Sequence, residues 1–157
     1  MKIVVAEMKD APIIHDVMIQ AFQEFKDATP PTSALQETVQ SVEKAMQEGE
    51  EALIGYIEGE PVTMIRFRQQ EQGMYFSRFS VIPKRQRQGI AKQMLRHLED
   101  YAKQRNTSTL LCKVRADVEK NISLYESIGY HVYDKEILHR SDGTSVAVVS
   151  MKKSLDE

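Results

Sequence analysis

Apolar residues recur along this chain with two periods, and the switches between them outline its elements. The β-branched run Ile3-Val4-Val5, followed by Asp10 and Pro12, reads as a strand that ends at a helix start. Over residues 13–25 the apolar positions Ile13, Val17, Met18, Ala21, Phe22 and Phe25 have helical spacing, so one face is expected on a core and the helix stops before Pro30-Pro31. A second helix over 38–47 carries Val39, Val42 and Met46 on one side and is closed by Gly49. The middle is β-rich. Runs at 52–57 and 62–67, separated by Glu58-Gly59-Glu60-Pro61, predict a hairpin, and a third strand over 74–82 follows Gln72-Gly73. From Gly89 the helical period returns, with Ile90, Met94, Leu95, Leu98, Tyr101 and Ala102 on one face until about Asn106. A strand over 109–114 and a helix over 118–128, ended by Gly129, precede a last hairpin of 130–138 and 144–151 about Ser141-Asp142-Gly143.

The resulting order is βααβββαβαββ. Its strand-helix-strand passage over 74–114 implies a right-handed crossover and at least one parallel pair, hence a mixed sheet. A length of 157 residues suits one domain spanning 1–157, large enough to need neither disulfides nor a structural metal. With 41% hydrophobic and 28% charged residues and a mean hydropathy of -0.43, the chain is too apolar to be disordered and too polar to be a membrane protein. The apolar stretch at the N-terminus is too short for a signal-peptide core or a span, so the chain is expected to stay where it is made. The single cysteine, Cys112, forbids an internal disulfide, no Cys and His cluster has metal-ligand spacing, and a cytoplasmic location fits. Twenty-one basic against 23 acidic residues leave a formal charge of -2, which is no footprint for nucleic acid.

Charge is nonetheless concentrated locally, in Val81-Ile82-Pro83-Lys84-Arg85-Gln86-Arg87-Gln88-Gly89-Ile90-Ala91. A strand ends, a basic loop follows and a helix opens. The first helical N–H groups lack intrahelical partners and the macrodipole favours negative charge, while Gly89 lets a ligand approach the backbone. Lys84, Arg85 and Arg87 add full charges, although three basic residues alone are equally a solvated loop. A dinucleotide fingerprint needs more glycines than Gly89, and no Gly-Lys-Ser/Thr ending makes a P-loop.

The segment Gln86-Arg87-Gln88-Gly89-Ile90-Ala91 matches the Gln/Arg-x-x-Gly-x-Gly/Ala signature of the GCN5-related N-acetyltransferases, and Val81-Ile82-Pro83 precedes it as in that family. A second stretch, Asn121-Ile122-Ser123-Leu124-Tyr125-Glu126-Ser127-Ile128-Gly129-Tyr130, resembles the family's late helix. The resemblance implies an α+β, three-layer αβα fold of the acyl-CoA N-acyltransferase type, with a mixed, mostly antiparallel sheet of about seven strands and helices on both faces. It further implies transfer of an acetyl or other acyl group from acetyl-CoA to a primary amine, with no metal. On the family pattern Gln86, Arg87, Gln88, Gly89, Ile90 and Ala91 hold the pyrophosphate, with Lys92 next. The main chain of Phe79, Ser80 and Val81 then pairs with the pantetheine arm as another strand would.

Tyr125 is the implied general acid. A hydroxyl of pKa about 10 can protonate a leaving thiolate of pKa about 8.5 when held within hydrogen-bond reach; the other reading of Tyr125 is a core aromatic beneath Gly129. Where many relatives carry an Asn seven residues before this Tyr, Val118 stands here. Asn121 either contacts the cofactor in its place or caps and packs, and Asp117 is expected to cap the helix. No general base stands out: Glu24, Glu71 or a water chain are equal candidates. Cys112, in an apolar strand, is expected to pack rather than react, because direct attack by an amine on a thioester needs no enzyme nucleophile. His15, His97, His131 and His139 share no ligand spacing. The family resemblance puts the loop Thr29-Pro30-Pro31-Thr32-Ser33 over the acceptor, with Phe22, Phe25 and Tyr56 as candidate lining, though the prolines equally suit a simple helix break. A non-catalytic acyl-CoA-binding or regulatory module on the same fold is the alternative function. The acceptor, a small molecule or a peptide, and the oligomeric state, including a homodimer through the C-terminal hairpin, are left open.

Overall fold

A computed structural model of the chain describes residues 1–156. Among the described residues, seven strands and four α-helices follow the expected order: β1 (Lys2–Val5), α1 (Ala11–Phe22), α2 (Val39–Gln47), β2 (Glu51–Ile57), β3 (Glu60–Gln70), β4 (Gly73–Val81), α3 (Ile90–Gln104), β5 (Thr109–Arg115), α4 (Glu119–Ser127), β6 (His131–His139) and β7 (Ser145–Ser154). The strands make one mixed sheet in the order β1-β2-β3-β4-β5-β7-β6. The expected parallel pair is β4 with β5, Met74 opposite Leu110 and Tyr75 opposite Leu111, joined by the crossover through α3.

The chain divides into two compact units, Met1–Arg68 with Phe76–Asp100, and Gln69–Tyr75 with the chain from Tyr101 onward. In the first, Ile14, Val17 and Met18 of α1, Leu53 and Ile54 of β2, and Met64 and Ile65 of β3 are fully buried. Each such side chain contributes about 1.5–3 kcal/mol through removal from water. Helix α2 starts on a reciprocal cap: the Ser41 N–H donates to the Thr38 hydroxyl at 3.0 Å and the Thr38 N–H to the Ser41 hydroxyl at 2.9 Å. Helix one is shorter than its apolar spacing suggests. It ends at Phe22 and continues as a 3₁₀ turn, Gln23–Phe25, with no buried residue to hold it in α geometry. Pro61 lies in β3 rather than in the turn, opposite Tyr56 and beside a register shift between Gly55 and Tyr56, where a missing N–H is tolerated.

In the second unit β5 and β6 both pair antiparallel with β7, which runs past the expected Met151 because Ser154 still pairs with Thr109. Where β4 meets β5, a Cβ on Gly73 would lie 2.5 Å from the Thr109 carbonyl oxygen, so only glycine fits there.

Candidate active site

In the first unit the end of β4 is held by its neighbour β3. The Ile82 N–H donates to the Val62 carbonyl at 2.9 Å, and the buried Thr63 hydroxyl donates to the Ser80 carbonyl at 2.7 Å. Ser80 is buried while Phe79 and Val81 are half-buried. After a 3₁₀ turn, Pro83–Arg85, the Gln86 side-chain amide donates back to the Val81 carbonyl at 3.2 Å. The loop then turns through two left-handed residues, Arg87 at φ 64 and Gly89 at φ 80, before α3 begins at Ile90.

A Cβ on Gly89 would meet nothing within 4 Å, so the space before this backbone is open. Left-handed residues alternating with others turn successive N–H groups to one side, and the first turn of α3 has N–H groups without helical partners. Arg85 adds a buried Nε with no hydrogen-bond partner among the described residues. Gln86, Arg87, Gln88, Gly89, Ile90 and Ala91 therefore fit a polyanionic group. Lys92 follows them, exposed on the first turn of α3. Lys84, counted among the loop's free charges, instead pairs with Glu60 at 2.9 Å, an exposed contact of small energetic weight.

Beside β4 lies a charge network that no spacing in the sequence announces. Arg66 of β3, only 4% exposed, donates from Nη1 to both Glu37 carboxylate oxygens at 2.9 Å and from Nε to Glu50. Arg78 of β4 donates from Nε to Glu37 at 2.8 Å and from Nη2 to the Ser33 hydroxyl at 3.0 Å. Burial would raise the Glu37 pKa, but the bonds and charges of Arg66 and then Arg78 outweigh it and leave the pKa below the ordinary carboxylate value. His15 Nε2 lies 2.9 Å from the Glu37 carbonyl oxygen. The available signal was Arg66 itself, a charge inside the apolar run 62–67.

In the second unit α4 carries Tyr125, 7% exposed, its ring 5.8 Å from that of Tyr130. Burial first, and the Cys112 charge second, push the Tyr125 pKa upward. Cys112 is itself buried, and burial pushes its thiol up to about 12, so it packs as expected. Asn121 lies half-buried on α4, its N–H 3.2 Å from the Val118 carbonyl oxygen. Asp117 does not cap this helix: the N-cap position is Val118, without a side-chain bond, and the exposed Asp117 carboxylate approaches Arg115 Nε at 3.7 Å instead. One residue too far from the first turn, Asp117 spends its charge on the strand end.

The proposed acceptor lining separates in part. The Phe22 and Phe25 rings are 5.9 Å apart, whereas Tyr56 lines a cavity of about 580 Å³ with Met1, Lys2, Val4, Ile57, Glu58 and Gly59. Glu24 sits in the 3₁₀ turn after α1 and Glu71 on the exposed turn between β3 and β4. Among the described residues no group of three or more His, Cys, Asp and Glu side chains is arranged to hold a metal ion, and no helix is long and apolar enough to cross a membrane.

The sequence profile described as "Acetyltransferase (GNAT) family" matches residues 15–130. Over 52 residues the chain is 42% identical to the [ribosomal protein bS18]-alanine N-acetyltransferase of Escherichia coli strain K12, a match covering 33% of this chain and 35% of that protein, about a third of the curated relative's length. Among solved structures, the Escherichia coli ribosomal-protein-S18-alanine N-acetyltransferase superposes with a TM-score of 0.80 at 22% identity, over 99% of this chain and 94% of that one. The protein yncA of Salmonella typhimurium, solved with its cofactor acetyl-CoA, gives 0.71 at 18% identity over 100% and 95%. At these identities the likeness is one of fold.

Proposed function

Because the chain belongs to the acetyltransferase (GNAT) family, whose members use acetyl-CoA as co-substrate, we propose that it acetylates a primary amine by direct attack, with Tyr125 as general acid. The observation that carries the reading is the junction of β4 and α3, where Arg87 and Gly89 adopt left-handed backbone before an open space and a free helix start. There the N–H groups of residues 86–91, with Lys92, hold the pyrophosphate, and the main chain of Phe79, Ser80 and Val81 runs beside the pantetheine arm. Asn121 is retained as a contact to that arm.

Acetyl-CoA brings the thioester. The amine nitrogen forms a bond to the carbonyl carbon, the C–S bond breaks with its electron pair on sulfur, and the Tyr125 hydroxyl proton goes to that sulfur. The amine's surplus proton goes to solvent, which returns one proton to the Tyr125 phenolate. A pKa raised by burial keeps Tyr125 in its acid form throughout the neutral range, while the Cys112 thiol, at about 12, is unsuited to act as a nucleophile. The curated relative names alanine as its acceptor, and an amino-terminal alanine is accordingly the first amine to test. Residues 1–157 act as one acetyltransferase domain in the cytoplasm.

The experiment is Tyr125→Phe, followed by release of free CoA thiol. Turnover is expected to fall by about 10²-fold or more while acetyl-CoA affinity persists. Unchanged turnover would remove Tyr125 from the mechanism.

A further inference from the structure

Arg78 occupies an unusual place. It is a non-glycine residue at φ 54 within a strand, one position before Phe79, and left-handed backbone is disfavoured for any side-chain-bearing residue. Its side chain reaches out of the strand to the segment joining α1 to α2, bonding Glu37 at 2.8 Å and Ser33 at 3.0 Å.

Two sets of bonds can be separated here. The end of β4 depends on the Ile82 to Val62 backbone bond and on the Thr63 to Ser80 and Gln86 to Val81 bonds, none of which uses the Arg78 side chain. The Ser80 hydroxyl donates to the Arg78 carbonyl at 2.9 Å, a contact to the backbone of residue 78 and not to its side chain. The 3₁₀ turn Ser33–Gln36, by contrast, is capped by the Thr32 hydroxyl and tied to β4 by Arg78, through Ser33 at its start and through Glu37, shared with Arg66, just past its end. Removing the Arg78 side chain takes away both of these ties to β4 and none of the strand's own bonds.

We propose that Arg78 is a positioning residue for the acceptor: its guanidinium clamps residues 33–37 against β4 and so sets affinity for the amine without setting affinity for acetyl-CoA. The inference rests on the acetyltransferase reading above. If the pyrophosphate lies at residues 86–91 and the arm runs back along Val81, Ser80 and Phe79, its reactive end arrives near Arg78, about 10 Å along the strand from Val81 at roughly 3.3 Å per residue. The amine must meet it there, beside the segment that Arg78 holds.

The test compares wild type with Arg78→Gly and Arg78→Lys. Glycine adopts the left-handed backbone without strain, so Arg78→Gly removes the clamp alone. Its calorimetric Kd for acetyl-CoA is expected to stay within about 2-fold, while the acceptor KM rises about tenfold and Arg78→Lys recovers part of the loss. The probe amine is whichever of an alanine-terminated peptide, spermidine and an aminoglycoside the wild type turns over fastest. Amide hydrogen exchange without substrate is expected to rise at residues 33–36 and stay constant at 79–82. An unchanged acceptor KM, unchanged exchange at 33–36, or an acetyl-CoA Kd weakened in parallel overturns the clamp. Failure of the wild type to acetylate any of the three amines would overturn the acetyltransferase reading itself.

Discussion

The Gln86 side-chain amide bridges back across the loop to the Val81 carbonyl at 3.2 Å, tying the start of the candidate phosphate-binding turn to the last residue of β4. Such a bond is worth about 0.5–1.5 kcal/mol. Gln86→Ala should therefore loosen the turn and weaken acetyl-CoA binding by roughly 3- to 10-fold, with little change in melting temperature. Titration calorimetry measures it; tighter binding in the variant would mean that Gln86 competes with the cofactor for this carbonyl.

Gly89 is at φ 80 with no atom within 4 Å of where a Cβ would stand, so substitution there costs backbone strain rather than a clash. Gly89→Val should lose about 1–3 kcal/mol of stability and abolish the thermal shift caused by acetyl-CoA. Gly89→Asn, which tolerates left-handed backbone better, should keep part of that shift. Melting curves with and without acetyl-CoA distinguish the two, and a full shift in Gly89→Val would move the anion site elsewhere.

Glu37 links stability to acid. Its folded pKa is lowered, so the carboxylate stabilises the fold fully above its unfolded value of about 4.3, and that contribution fades as pH falls through the folded pKa. Glu37→Gln should be less stable by about 2 kcal/mol at neutral pH, because Arg66 keeps only Glu50, and should lose less further stability on acidification. Urea unfolding at pH 7, 4 and 3 gives both quantities; parallel losses in variant and wild type would contradict the linkage.

Periodic burial made the element order readable. The spacing of Val17, Met18 and Ala21, or of Met94, Leu95 and Leu98, follows directly from one face of a helix being buried, although in helix one Ile14 lies in the core where the spacing put Ile13. The turn from β4 into α3 was equally plain, since Pro83 and Gly89 impose backbone geometry locally. Arg78, Arg66 and Glu37 were not, because ion pairs between residues 29 and 41 positions apart have no period in the sequence. Asp117 failed for a local reason: a residue type suited to a cap stands one position before the N-cap and finds Arg115 instead.

Arg66 stands between Glu37, from the segment after α1, and Glu50, from the start of β2. A buried cation shared by two carboxylates ties three positions distant in the chain into one electrostatic unit. Loss of the arginine leaves Glu37 to Arg78 alone and Glu50 to Arg68 alone, and loss of either acid leaves the cation half-compensated. A change at 37, 50 or 66 is therefore felt at the other two positions, and a neutral replacement of the whole set disturbs the interior less than removal of one member.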